Sequence, residues 1–423
     1  MMHWSAPRSS PVQNRKSPEP LNIALVAGEA SGDNLGASLM NALAARHPGS
    51  RFVGIGGDKM REAGQESWIH SDELSVNGIV EPLKRLPSIL RTLYYSRDRI
   101  LAAGVDCFVG IDFNFFNLWL AGLLRARGVT TVHYVSPTVW AWRTGRLKKI
   151  KRSVDLMLTL YPFETAIYEQ HGIRAVFVGH PRADLIEPLD GESLEDTQRN
   201  IETARREAAM DLGVDPDILS IALLPGSRGA EVASSGVDFL AAAGLLQKRL
   251  GRPVQFLVPA ANPRRLEQIE SQLVSVEANM RVLVNHDAIR SMAASHLVLA
   301  NGGTATLEAM LLRKPMVMSY RLGAATYALV SRMMKIEHFA LPNILAGRAL
   351  VPELIQNAAT PENLAAAAEA ELTRDPNEML SEFGRIHSEL RQDAGARAAD
   401  AILTLIRPPL KAGASGEEDH VSL

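Results

Sequence analysis

The chain has 423 residues, 46% of them apolar, enough to build two hydrophobic cores. A formal net charge of −2 and an aromatic content of 5% leave no basic, aromatic-studded surface for stacking bases, which argues against nucleic acid as a partner. The single cysteine, Cys107, excludes an intramolecular disulfide and a cysteine-built zinc site, and fits a reducing cytosol.

Residues 1–20 are rich in Ser, Pro and basic residues and are expected to be disordered, with no apolar stretch of the signal-peptide kind. No uninterrupted apolar run reaches the roughly 18 residues of a membrane span, so the chain is expected to be neither secreted by a standard signal nor membrane-spanning. From Leu21, short apolar runs predict strands at Asn22 to Ala27, Phe52 to Ile55, Cys107 to Ile111, Val129 to Val135, Leu156 to Leu160 and Ala175 to Val178, with helical patterns between most of them. Such alternation predicts right-handed βαβ units on a parallel sheet whose ligands gather at the carboxyl ends of the strands. Around Gly179 to Asp196 the pattern breaks into Pro, Gly and acidic residues, then a charged helical segment runs from about Leu194 to Met210. A second series follows, with strands near Ser220, Val254, Val282, Leu297 and Met316. The expectation is two doubly wound α/β domains, 21–185 and 186–360, facing across a cleft, then Ala- and Glu-rich helices over 361–408 and a disordered tail over 409–423.

Two strand-to-helix junctions in the second half carry the strongest chemical signal: Leu224-Pro225-Gly226-Ser227-Arg228, and Asn301-Gly302-Gly303-Thr304 with Glu308 one turn later. Small residues at a helix start expose free backbone N–H groups at the positive end of the dipole, where a phosphate is favoured. Arg228 adds a permanent forked cation. Glu308 lies four residues after Thr304, one too far for a capping box, which makes a ribose hydroxyl a candidate partner.

The first half presents carboxylates instead. After the first strand comes Gly28-Glu29-Ala30-Ser31-Gly32-Asp33, and after the third Asp112-Phe113-Asn114-Phe115-Phe116-Asn117; neither is a dinucleotide fingerprint. Acids in these places would repel a phosphate but can bind sugar hydroxyls or take a proton. The structural alternatives are a first-turn dipole partner for Asp33 and an Asx-turn or helix cap for Asp112. Tyr134 through Arg143 ends another strand in Ser136-Pro137 and places Trp140 and Trp142 for a sugar or acyl wall, or for core packing. There is no His-Glu-x-x-His, Walker A or Gly-x-Ser-x-Gly sequence, so neither a metal nor another cofactor is expected. Between Val80 and Tyr95, apolar residues alternate with Lys84, Arg85 and Arg91, a pattern that suits an anionic bilayer surface or a helix lying on its own sheet.

Ala27-Gly28-Glu29-Ala30-Ser31-Gly32-Asp33, His133 through Pro137 with Trp140-Ala141-Trp142-Arg143, Leu223 through Glu231, Gly303-Thr304-Ala305 with Leu307-Glu308, and Leu341-Pro342-Asn343 before Leu345-Ala346-Gly347-Arg348 stand in an order that resembles lipid-A-disaccharide synthases. These are inverting glycosyltransferases that join two acylated glucosamines. The resemblance implies a GT-B-like pair of Rossmann-type domains, a UDP-2,3-diacylglucosamine donor, the acceptor lipid X, a β-1,6-linked disaccharide 1-phosphate and UDP as products, and no metal. It further implies peripheral association with the cytoplasmic surface of the inner membrane, with Leu83, Lys84, Arg85, Leu86, Leu90 and Arg91 as membrane-facing candidates. Nucleotide contacts fall to Gly226, Ser227, Arg228, Gly303, Thr304, Glu308 and Asn343, the last completing a partner's site in a C-terminally swapped homodimer. Acceptor or sugar contacts fall to Ser31, Asp33, Ser136 and Trp140, and catalytic roles to Asp112, Glu29 and Arg228.

Two departures stand out. Similar synthases read Asp-Ala-Pro-Asp-Phe-Asn where this chain has Asp112 through Asn117, so Phe115 replaces the second acid and cannot take a proton; and Asn301-Gly302 replaces the usual Ala-Ser. A nucleotide-sugar-binding paralogue without turnover, and another enzyme of the same plan such as a UDP-sugar epimerase, are therefore the alternative readings.

Overall fold

The computed structural model describes residues 19–71, 86–139, 144–274, 280–321 and 337–407. Of the expected disordered ends, 1–20 and 409–423, residues 1–18 and 409–423 lie outside the described residues, as do Leu83, Lys84, Arg85 and Trp140.

Two sheets organise the chain. The first contains β1 (Asn22–Ala27), β2 (Arg51–Gly56), β3 (Gln65–His70), β4 (Cys107–Ile111), β5 (Thr130–Tyr134), β6 (Leu156–Thr159) and β7 (Ala175–Phe177), in the order β3-β2-β1-β4-β5-β6-β7. The second contains β8 (Leu219–Leu224), β9 (Val254–Pro259), β10 (Arg281–Asn285), β11 (Leu297–Ala300), β12 (Met316–Tyr320) and β13 (Glu353–Ile355), in the order β10-β9-β8-β11-β12-β13. All neighbouring strands pair in parallel, with Leu25 beside Val109 and Leu224 beside Ala300 at the centres. Continuous apolar runs suit strands covered by helices on both faces, and every residue of β8 and β9 is buried. Each sheet grows outward from its first strand and then returns to that strand's other side. This makes a strand-order switch point between β1 and β4 and another between β8 and β11, the places where open α/β sheets bind ligands.

The sequence pattern missed β3 and β13. The first is polar, Gln-Glu-Ser-Trp-Ile-His, and the second has three residues, so neither shows an apolar run; both are edge strands added by tertiary pairing.

The C-terminal helices join the two halves. Helix Ala394–Ile406 packs on helix Ala30–Arg46 of the first sheet, where Arg46 pairs with Asp400 at 2.6 Å. The Asp184 carboxylate accepts from the N–H groups of Gln392, Asp393 and Ala394, and buried Arg313 pairs with Asp190 at 2.6 Å. The segment after β7 is thus bound by charge to the far end of the chain.

Helix Leu86–Ala103 carries the described part of the amphipathic stretch. Leu93 and Ile100 are fully buried in the first core, and Leu90 is half-buried against it; Arg91 is exposed. Nothing is described for the Leu86 side chain. Helix Gly229–Leu250 is long and apolar enough to cross a membrane, but Val232, Phe239, Ala243 and Leu246 bury it in the second core.

Candidate active site at the two switch points

The carboxyl ends of β8 to β12 surround a cavity of about 550 Å³, lined by Gly226, Ser227, Arg228, Gly302, Gly303, Thr304 and Glu308 among others. Both glycine junctions named from sequence therefore meet in one pocket. Gly226, Gly302 and Gly303 all have positive φ, at 117°, 58° and 63°, which side-chain-bearing residues rarely adopt. At Gly302 a Cβ would also press within 3.1 Å of the Tyr320 ring. Asn301 ties the two junctions together, its Nδ2 donating to the Pro225 carbonyl at 3.1 Å while its buried Oδ1 has no partner.

The loop after β8 already holds an anion. Glu231 Oε2 accepts from the N–H groups of Ser227 and Arg228, both at 3.1 Å, and Oε1 pairs with Arg228 Nη1 at 3.0 Å. A carboxylate there uses the donors that a phosphate would use. Arg228 itself is 83% exposed at the pocket wall, with Glu231 as its ion-pair partner.

Glu308 is 13% exposed at the pocket wall and pairs with Arg182 Nε at 3.1 Å. Burial pushes its carboxyl up, opposed by the Arg182 charge. Arg182 follows His180, whose ring lies 5.4 Å from Tyr161 and is pushed down to about 4 by burial and by Arg182, so it is neutral. A residue between the sheets thus reaches the second sheet's pocket.

At the first switch point, Glu29 follows β1 and Asp112 follows β4. The backbone here is strained: Asp112, Phe113 and Val135 have φ of 48°, 43° and 78°, unusual for any residue and most of all for a β-branched one. Neighbours hold that geometry in place. The Asp112 N–H donates to the Tyr134 carbonyl at 2.8 Å, and Asn117 Nδ2 donates to the Asp112 carbonyl at 2.9 Å. Phe113 lies over Gly28, where any Cβ would come within 2.5 Å of its ring. Burial and then the negative charge of Glu29 push the Asp112 carboxyl up from the usual aspartate value. An acid held up in this way, at the carboxyl end of a strand, is a stronger base than an ordinary aspartate. Phe115 is 59% exposed, edge-on to Trp119 with ring centroids 5.8 Å apart, and Lys149 Nζ lies 5.7 Å from its ring centre.

Three residues read as ligand contacts have structural duties instead. Asp33 is buried, and its oxygens accept from the N–H groups of Gly57, Lys59 and Met60 at 2.7–3.1 Å, capping helix Asp58–Glu62. Ser136 Oγ donates to the Pro137 carbonyl at 3.0 Å, which leaves the Tyr168 hydroxyl to donate to it at 2.8 Å. Asn343 is fully buried: Nδ2 donates to the Val351 carbonyl and to Glu353, and Oδ1 accepts from Leu350 and Val351, all at 2.8–2.9 Å. In this structure its amide is used up in folding its own segment. Ser31 stays exposed on the first turn of helix Ala30–Arg46.

Sequence reasoning did not assign Arg182, His286, Tyr320 or Phe339 to the pocket, though the structure places Arg182 against Glu308 and the rest in its wall. Tyr320 is the last residue of β12, and the sequence reading placed a strand near Met316 without fixing where it ends.

Two Rossmann-type sheets with a phosphate-compatible pocket at one switch point and carboxylates at the other define a sugar-nucleotide enzyme of the GT-B kind. Solved structures share this plan: Acinetobacter baumannii MurG superposes with a TM-score of 0.55 over 92% of this chain and 100% of that one, at 14% identity. A Methanocaldococcus jannaschii UDP-GlcNAc 2-epimerase, solved with UDP-GlcNAc and UDP, gives 0.56 over 91% of this chain and 100% of its own, at 13% identity. These likenesses show the fold. The family described as lipid-A-disaccharide synthetase matches residues 23–402, and the lipid-A-disaccharide synthase of Pseudomonas aeruginosa strain UCBPP-PA14 is 46% identical over 91% of this chain and 98% of its own length. The chain belongs to the lipid-A-disaccharide synthase family and is a glycosyltransferase.

Proposed function

We propose that the chain transfers 2,3-diacylglucosamine from its UDP donor to lipid X with inversion, giving the β-1,6-linked disaccharide 1-phosphate and UDP. The observation that carries the reading is the pairing of unlike chemistry at the two switch points: a glycine-lined pocket with Arg228 at one and Asp112 at the other. The donor diphosphate displaces Glu231 from the Ser227 and Arg228 N–H groups and engages Arg228, which stabilises the charge that develops as UDP leaves. Gly303 and Thr304 present the second helix start to the same anion, and Glu308 accepts from the ribose hydroxyls. Asp112 takes the proton of the acceptor's primary hydroxyl as that oxygen attacks the anomeric carbon from the face opposite UDP. Glu29 acts through its charge by keeping Asp112 basic. Phe115, where similar synthases have an acid, takes no part in proton transfer; exposed beside Trp119, it offers an acyl chain an apolar surface.

Acylated substrates place the work at a lipid surface, and we assign the protein to the cytoplasmic face of the inner membrane. Exposed Tyr94 and Tyr95, with Arg97 stacked on Tyr94 at 4.9 Å, support that contact. A homodimer that exchanges C-terminal segments belongs to the same reading, with the Asn343 segment moving as a folded unit.

The test is turnover by the purified chain with UDP-diacylglucosamine and lipid X in detergent, following UDP and disaccharide together. Stoichiometric UDP and disaccharide support the transferase. Donor binding without disaccharide favours the paralogue that Phe115 suggests, and UDP-sugar interconversion without an acceptor favours an epimerase.

A further inference from the structure

At the carboxyl end of β4, Asn114 stands between a buried ring and the candidate base. His133 on β5 is fully buried, with Nε2 3.0 Å from Asn114 Oδ1. An amide oxygen only accepts, so Nε2 carries the hydrogen and His133 donates. Its other nitrogen, Nδ1, has no partner and is turned toward Gly110, where an added Cβ would lie 3.3 Å from it. Burial holds the ring neutral, pushed down to about 3. Since the Asn114 carbonyl is claimed by the ring, its Nδ2 must face the other way, and it does so 3.4 Å from Asp112 Oδ1.

We infer that Asn114, oriented by His133, is a positioning residue for Asp112, donating to Oδ1 and so fixing the direction in which the carboxylate meets the acceptor hydroxyl. An amide passes no proton, so this is a hydrogen-bonded brace and not a relay. The backbone of Asp112 is fixed by Tyr134 and Asn117, whereas its carboxylate meets the Asn114 amide and the Phe113 backbone N–H. The ionisable groups that face it are Glu29 after β1 and, through Asn114, the neutral His133 on β5.

This inference rests on the transferase reading, so its test needs one measurement that survives the failure of that reading. Full-length native protein, Asn114→Ala, Asn114→Asp and His133→Gln are compared in two ways: kcat and KM against pH with UDP-diacylglucosamine and lipid X, and the carbon-13 titration of the Asp112 carboxyl in labelled protein. Asn114→Ala is expected to lower kcat about tenfold with donor KM unchanged. It should also raise the acid limb and the Asp112 titration together by about half a unit, because a donor to the charged form is lost. Asn114→Asp puts a like charge there and raises both further. His133→Gln, which keeps an N–H toward Asn114, stays within about threefold of native. If Asn114→Ala folds and leaves both the acid limb and the titration where they were, the brace does not exist. If native protein makes no disaccharide but the titration still moves in Asn114→Ala, the transferase reading fails while the contact stands.

Discussion

The two switch points share one topology and are built for opposite charges. At β8/β11 the strands are followed by Gly226 and by Gly302-Gly303, which line a cavity of about 550 Å³ together with Arg228. At β1/β4 the same positions carry Glu29 and Asp112, and the strain falls on residues with side chains, Asp112, Phe113 and Val135. Glycine pays no steric penalty for φ > 0, so the second site is relaxed and receptive to an anion. The first must be held by neighbours, and what it gains is a carboxylate kept above its usual range. The lesson is that one fold supplies two ligand-binding positions, and local side chains decide which charge each accepts.

The largest effect expected from breaking this division is at the base. Asp112→Asn should lower kcat by about 100-fold to 10,000-fold with UDP affinity retained, read from steady-state kinetics beside UDP calorimetry. Loss of UDP binding in that variant would show the two sites to be inseparable. Arg228→Ala should cost on the order of 100-fold in rate and weaken UDP, since Ser227 and Arg228 backbone donors remain but the leaving-group charge loses its cation. A near-normal rate would remove Arg228 from the mechanism.

Asp33→Ala should act on stability and not on chemistry. Losing a buried carboxylate that accepts three N–H groups is expected to cost about 2 kcal/mol, seen as a lower urea midpoint, while activity per folded molecule stays near native. The smallest effect concerns pH. Turnover should fall as pH drops through the Asp112 value, because protonation removes the base. Glu29→Gln should move that limb to lower pH by a fraction of a unit, because the charge that raises Asp112 is gone. A limb that moves upward would mean that Glu29 acts on Asp112 other than through its charge.

Much of this was legible in the sequence, and the legible part has a common cause. Apolar runs of period one mark parallel strands directly, and small residues after them mark helix starts, so both glycine junctions and both acidic turns were visible without a structure. The edge strands were not, because β3 and β13 carry no apolar run of their own. Residue roles were the least legible. Asp33 and Asn343 have the right chemistry for a ligand, and it took the tertiary partners, the Gly57 loop and the Val351 and Glu353 strand region, to show that their hydrogen-bonding capacity is already used.

The sequence by itself determined the two βα series, the places where each sheet would bind, and the family resemblance, since these depend on local pattern and on residue types in order. Only the tertiary structure decided which acids are free. It brought Arg182 to Glu308, seated Glu231 on the Ser227 and Arg228 amides, and set Asn114 between His133 and Asp112. The reason is physical: a polar side chain acts through the groups within about 3 Å of it, and apart from near neighbours those groups come from positions far away in the chain.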